Sequence, residues 1–161
     1  MSYIIREISP SEYSLLENFL YEAIFQRNEN NLAPRSIIEQ PELKVFIEDF
    51  GKPDDYCLVA ECDGKIAGAV WTRILCGEVK GFGNIDNETP EFAISLYKEY
   101  RNKGIGTALM KAMLILLKSK GYKKTSLAVQ KDNYAVKMYS KVGFNIVDEF
   151  EEEYLMVCQL N

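Results

Sequence analysis

The 161-residue sequence contains no histidine. That absence removes the side chain most often used to move protons near neutral pH. Imidazole general bases, Ser-His and Cys-His nucleophile systems and most zinc sites go with it. Acid–base chemistry falls to Glu, Asp, Tyr, Lys, Cys, water or backbone. The four cysteines, Cys57, Cys62, Cys76 and Cys158, form no C-x-x-C pair. Cys57 and Cys62 stand five apart in a strand-like segment, so they face opposite sides and cannot easily bridge. Buried free thiols are expected, and neither a disulfide nor a metal site. Long apolar runs are also missing. The longest within a helical pattern, Ala112 to Leu117, is far too short to cross a bilayer. The N-terminal Met1-Ser2-Tyr3-Ile4-Ile5-Arg6 lacks the basic-then-apolar order of a signal peptide, so the expected location is cytoplasmic. No basic run dominates and the net charge is −5. Phosphate contacts supply most nucleic-acid affinity, so neither nucleic acid nor membrane is an expected partner. Any phosphate-bearing ligand has to be gripped by local groups.

What is present fits one globular domain over residues 1–161, with 47% hydrophobic and 27% charged residues. Tyr3 to Ile8 alternates as a strand. Ser9-Pro10-Ser11-Glu12 carries the signals of a helix start, and an apolar stripe from Tyr13 runs to about Phe25. A polar loop at Asn28 to Asn31 precedes a second predicted helix, Pro41 to Phe50. Strands at Tyr56–Glu61 and Lys65–Leu75 flank Asp63-Gly64, a strong hairpin turn. Cys76 to Glu88 holds Gly77, Gly81 and Gly83 and reads as a loop or irregular hairpin. A strand at Thr89–Leu96 follows, then the clearest helix, Gly104–Lys120, stopped by Gly121. Thr125–Val129, Phe144–Asp148 and Tyr154–Gln159 read as strands around a short helix at Asn133–Lys141. The order predicts a mixed α/β domain with a largely antiparallel sheet.

Arg101-Asn102-Lys103-Gly104-Ile105-Gly106-Thr107 lies between a strand and the longest helix. The first turn of a helix presents unpaired N–H groups and partial positive charge. Glycines there let a pyrophosphate approach the backbone with no Cβ in the way. Arg101 and Lys103 add charge at the same mouth. A G-x-G alone is equally a softened loop that opens a helix, and it matches neither the dinucleotide fingerprint nor the P-loop. A second stretch follows the next strand: Asn133, Ala135, Tyr139, then Gly143-Phe144.

Together these two stretches resemble the GNAT superfamily of acyl-CoA-dependent N-acyltransferases. Its signature is Arg/Gln-x-x-Gly-x-Gly/Ala opening the helix after strand four, with an N-x-x-A-x-x-x-Y-x-x-x-G-F-like stretch after strand five. Ala135 falls one place early in that spacing, and Lys98 stands where many members carry Pro. The specific match covers about a third of the chain. The resemblance implies about seven strands flanked by about four helices, with strands four and five splayed around the thioester. It implies acetyl-CoA as acyl donor, with no metal, and a small-molecule or peptide amine as acceptor; a homodimer stays open. Backbone N–H groups of Arg101, Asn102, Lys103, Gly104, Ile105, Gly106 and Thr107 would hold the pyrophosphate. Ile94, Ser95 and Leu96 would pair with the pantetheine arm through backbone. Asn133 would touch that arm, and Tyr139 would lie near the sulfur.

An alkyl ammonium near pKa 10.4 is neutral in only about one molecule in 10³ at pH 7, so a base or water chain is useful. Glu91 is the first candidate, although it reads equally as a cap on an exposed strand end; Glu88 and Asp86 are weaker rivals. An ordinary carboxylate near 4.3 is about 6 units too weak to take that proton outright. Tyr139 is the candidate acid for the departing thiolate, against the alternative of a core aromatic. Tyr21, Phe25, Phe46, Phe50 and Trp71 are candidate pocket residues, most of them expected in the core. A catalytically idle acyl-CoA-binding module on the same scaffold is the competing reading.

Overall fold

The computed structural model describes residues 2–28 and 30–161. Met1, in the N-terminal stretch, and Glu29, in the expected polar loop, lie outside the described residues. Seven strands form one sheet: β1 (Tyr3–Glu7), β2 (Tyr56–Cys62), β3 (Lys65–Arg73), β4 (Glu91–Leu96), β5 (Lys124–Gln130), β6 (Phe144–Glu149) and β7 (Glu153–Gln159). The helices are α1 (Leu16–Ala23), α2 (Pro41–Lys44), α3 (Ile105–Ser119) and α4 (Ala135–Val142). The strand order is β1-β2-β3-β4-β5-β7-β6. Neighbours run antiparallel except β4 and β5, which are parallel. Among the described residues no helix is long and apolar enough to cross a membrane.

Turn chemistry sets the register. Asp63 (φ 50°) and Gly64 (φ 80°) both occupy the left-handed region, which suits a two-residue turn to the twist of β2 and β3. Gly121 (φ 91°) ends α3 in the same conformation. The sheet separates two cores. Leu109, Met113 and Leu117 of α3 pack on one face with Phe92, Leu127, Phe144 and Met156. Leu16, Phe19 and Leu20 of α1 pack on the other with Val59, Ala69 and Trp71. Cys62 belongs to the first cluster and Cys57 to the second, as strand alternation requires, and both thiols are free.

Two expected helices are shorter than predicted, each for a visible reason. The segment after Ser9 runs as a 3-10 helix over Pro10–Leu15 before α1 begins, with Glu12 accepting from the Ser9 N–H at 2.9 Å. The second helix, expected from Pro41 to Phe50, stops at Lys44. Its later carbonyls are captured by β3 side chains. Arg73 donates to Val45 O at 3.0 Å and Glu48 O at 2.7 Å, and Trp71 Nε1 donates to Phe46 O at 3.1 Å. Arg73 is itself paired with Asp55 at 3.1 Å in a nearly dry setting. These bonds, two of them from the charged Arg73 guanidinium, replace the helix ladder.

Candidate active site

The site begins where β4 and β5 part. β4 pairs with β3 along its whole length, but its register with β5 is confined to Glu91 opposite Ser126. Beyond that point β5 is held by β7. The Tyr97 N–H donates to Ala67 O at 2.9 Å. Alternation along an antiparallel pair therefore turns Ile94 and Leu96 backbone groups toward the gap. The Leu96 carbonyl is taken by Arg101 Nε at 3.0 Å. Ile94 and the Leu96 N–H present an open strand edge of the kind an extended polar chain can pair with. Ser95 turns away: it stands opposite Ala69, and its hydroxyl donates to Phe19 O at 2.6 Å. Of the expected Ile94–Ser95–Leu96 stretch, only the alternate residues address the gap.

At the end of β4 the chain makes a 3-10 turn (Lys98–Tyr100) and enters the loop that opens α3. Asn102 (φ 61°) and Gly104 (φ 84°) are both left-handed, and this folds the loop back over the helix mouth. A Cβ at Gly104 would meet nothing within 4 Å. The glycine is there for its backbone angle and for the open surface above it. The Arg101 N–H already donates to Lys98 O at 3.2 Å, while the Ala108 N–H donates to Gly104 O as the first bond of α3. Among the described residues, amides from Asn102 to Thr107 have no backbone partner, so the expected donor set loses Arg101. Arg101 serves otherwise, bonding Glu22 of α1 at 2.9 Å and fastening the loop to α1 and β4. Lys103 remains the exposed cation at the mouth. Ile105 and Gly106 are buried, and a Cβ at Gly106 would approach Leu96 Cδ1 at 3.3 Å and Met138 Cε at 3.5 Å.

Glu91 is not an exposed cap. It is 3% exposed, at the point where the two strands diverge. Oε2 accepts from the Gly83 N–H at 2.9 Å, while Oε1 is buried and has no hydrogen-bond partner. Burial raises its pKa to about 7; the Gly83 amide opposes the rise and the nearby Glu153 charge adds to it. The glycine loop makes this arrangement possible. A Cβ on Gly81 would fall 1.9 Å from Glu91 Oε1, and one on Gly83 would fall 2.7 Å from the Leu127 backbone. Ser126 donates to Gly83 O at 2.7 Å and locks the loop to β5. Asp86 and Glu88, the rival bases, are exposed, and Asp86 accepts from the Glu88 N–H at 2.8 Å in a local turn.

Tyr139 comes from α4. Gly143 (φ 116°) ends that helix and turns Phe144 inward. The Phe144 ring is packed edge-on between Phe92 (5.3 Å) and Tyr139 (5.7 Å), so the Gly-Phe pair fixes the tyrosine ring. Burial, and secondarily Tyr134, pushes the Tyr139 phenol well above its ordinary value. Its hydroxyl makes no hydrogen bond within the described residues. Asn133 has a structural task as well: its side-chain oxygen accepts from the Ala135 N–H at 2.9 Å, an Asx turn that leads the chain into α4. Its amide nitrogen stays available.

These groups meet in one cavity of about 310 Å³. Glu91, Tyr139, Asn133, Ile94 and Glu153 line it, together with an apolar wall that includes Phe25, Phe46 and Phe82. Of the sequence-predicted aromatics, Phe25 and Phe46 reach it; Trp71 is fully buried in the second core. At the rim Arg27 bonds Asp132 at 2.8 Å and Gln130 at 3.0 Å, bridging the segment after α1 to the end of β5. Glu153, Gly81, Gly83 and Arg27 were not legible as site residues. The run of glycines was their one signal, and it said loop.

A parallel pair of strands that part after a single register point is the splay of strands four and five that the family resemblance implies. Residues 20–144 match the model of the acetyltransferase (GNAT) family. The chain belongs to the GNAT family. It is 29% identical over 126 residues to an N-alpha-acetyltransferase of Sulfurisphaera tokodaii, covering 71% of this chain and 75% of that protein. It is 33% identical over 85 residues to a mycothiol acetyltransferase of Corynebacterium aurimucosum, covering 52% of this chain and only 26% of that protein. The fold matches a PaiA N-acetyltransferase from Thermoplasma acidophilum, solved in complex with coenzyme A. That match has a TM-score of 0.68 and 21% identity, over 99% of each chain. The seven-stranded sheet with β4 and β5 parallel is therefore the GNAT sheet, and its gap lies beside Glu91 and Tyr139.

Proposed function

We propose that this GNAT chain transfers an acetyl or similarly short acyl group from acyl-CoA to a primary amine, directly in a ternary complex. The observation that carries the reading is the buried Glu91, its Oε1 without a partner among the described residues, at the point where β4 and β5 part and in the lining of the same cavity as Tyr139. In this reading the amides from Asn102 to Thr107 hold the pyrophosphate, with Lys103 adding charge. Ile94 and Leu96 backbone groups pair with the pantetheine arm, and the Asn133 amide donates to it. The thioester carbon then lies in the cavity.

The acceptor enters as an ammonium and must lose a proton before its nitrogen can attack. With its pKa raised to about 7, Glu91 is some 3 units below an ammonium near 10.4, where an ordinary carboxylate is about 6 below. A proton passed directly or through one water is then within reach of a general base. The amine nitrogen forms the new N–C bond and the C–S bond breaks. The nitrogen gives up two protons in all: the one lost before attack goes to solvent through Glu91, and the one it sheds after attack passes to the thiolate, which leaves as free CoA thiol. Tyr139 stays a phenol throughout the physiological range because burial holds its pKa up. It acts as a hydrogen-bond donor to the sulfur, and the same dry surroundings raise the basicity of the thiolate it serves.

Two outcomes test the donor half. Gly104→Asp forces a Cβ onto a left-handed backbone, which costs about 1–2 kcal/mol, and sets a carboxylate against the diphosphate. Acetyl-CoA affinity by calorimetry is expected to weaken by about a hundredfold; an unchanged Kd removes the pyrophosphate site. Tyr139→Phe is expected to lower kcat about tenfold to a hundredfold with acetyl-CoA Kd unchanged. Equal kcat for the two proteins takes Tyr139 out of the chemistry. Free-thiol release from acetyl-CoA across a panel of amines separates a working transferase from an idle acyl-CoA-binding module, which releases none.

A further inference from the structure

The charged residues lining the cavity are Glu91 and Glu153, and both are acids. Glu153 opens β7 opposite Gln130 of β5. It has no cationic partner within the described residues, and it is close enough to Glu91 that its charge contributes to the upward push there. Its own pKa is raised by burial first and by Glu152 second. Arg27, the cation at the rim, is already matched by the two oxygens of Asp132. The buried Glu91 Oε1 has no partner among the described residues, and the acidic end of the cavity holds two carboxylates with no cation in the lining to match them. Apart from the neutral polar groups of Gln130, Asn133 and Tyr139, the rest of the lining is apolar, with Leu20, Ile24, Phe25, Leu43, Phe46 and Phe82 forming one wall. Phe82 lies nearly parallel to Phe46, with centroids 6.3 Å apart, and is half exposed, so it closes the apolar wall toward solvent.

We infer that the acceptor is a small primary amine with one cationic head and an apolar, ring-sized body, and that Glu153 selects it by drawing the ammonium to the acidic end beside Glu91. This rests on the acyl-transfer reading and specifies its acceptor. A free α-amino acid would bring a carboxylate against two acids. A polyamine would have to lay a second ammonium along the Phe25–Phe46–Phe82 wall, where the Phe25 ring already carries the Arg27 guanidinium at 5.2 Å and no carboxylate lines that side. A long peptide has little room, because about 310 Å³ must also hold the thioester end. Glu153 is a positioning residue for the acceptor and Glu91 receives the proton.

The test compares 2-phenylethylamine with spermidine, phenylalanine and a short peptide N-terminus in thiol release. It also measures binding of each to the CoA-loaded protein by calorimetry. Phenylethylamine is expected to exceed the others about tenfold or more in kcat/KM and in affinity. Glu153→Gln is expected to raise its KM about tenfold with kcat within about twofold and acetyl-CoA Kd unchanged. Phenylalanine or spermidine matching phenylethylamine overturns the inference, and so does an unchanged KM in the variant. In either case, thiol release with any amine of the panel leaves acyl transfer standing. If no amine is turned over, acyl transfer falls, and the calorimetric arm judges the acceptor preference by itself.

Discussion

Glu91→Gln is expected to lower kcat by about a hundredfold or more while leaving acetyl-CoA affinity intact, because it removes a positioned base and nothing that touches the donor. The wild-type rate should climb with pH through about 7, where Glu91 loses its proton, and the variant should lose that limb. Stability moves in the opposite direction. A glutamate in the unfolded chain titrates near 4.3, so the native state, which holds Glu91 protonated up to about 7, is favoured most below about 4.3. That contribution fades as pH rises through about 7, where a buried carboxylate must stand with one oxygen unpartnered. Above pH 7 the glutamine variant should therefore melt no lower than wild type. A native enzyme that keeps a costly group at its site trades stability for chemistry in this way. A variant with an unaltered rate and an unaltered pH profile would dismiss Glu91 as the base.

Gly81→Ala tests the same carboxylate without touching it. A Cβ there falls 1.9 Å from Oε1, 2.6 Å from Cδ and 2.8 Å from Oε2. No real pair of atoms sits so close, so the carboxylate must swing away. The obstacle is the end of a flexible side chain, not backbone, so the fold absorbs it at small cost. The expected outcome is a fall in kcat approaching that of Glu91→Gln, about tenfold to a hundredfold, with Tm shifted by only a few degrees. Gly83→Ala serves as the contrast. Its Cβ meets the Leu127 and Ala128 backbone at 2.7 and 2.8 Å, so its cost should appear in Tm as well. If Gly81→Ala keeps full activity, the position of Glu91 has no bearing on the rate.

Much of the fold was legible because it follows from local chemistry. Asp63-Gly64 names its own turn, the apolar spacing of α3 admits no other period, and Gly121 stops it. Where a boundary moved, a distant residue moved it. Pro41 to Phe50 reads as helix by its own pattern, yet Arg73 and Trp71 from β3 draw away the carbonyls it needs. The proposed donor site was legible for a similar reason. Helix mouth, glycines and cation occupy one short stretch, and only the Arg101 amide proved to be committed already. Glu91 could be named as a candidate from its place on a strand, but not described.

Composition and spacing thus determined the class of chemistry: no imidazole, a phosphate-ready helix mouth, and a tyrosine held by Gly143-Phe144. These are properties of residues close together in the chain, where neighbours fix geometry directly. The proposed acceptor end was decided only by tertiary structure. Glu91, Gly81, Gly83, Glu153 and the Phe25–Phe46–Phe82 wall come from segments far apart in sequence. A carboxylate's pKa depends on how much water is removed around it, and no local pattern encodes that burial.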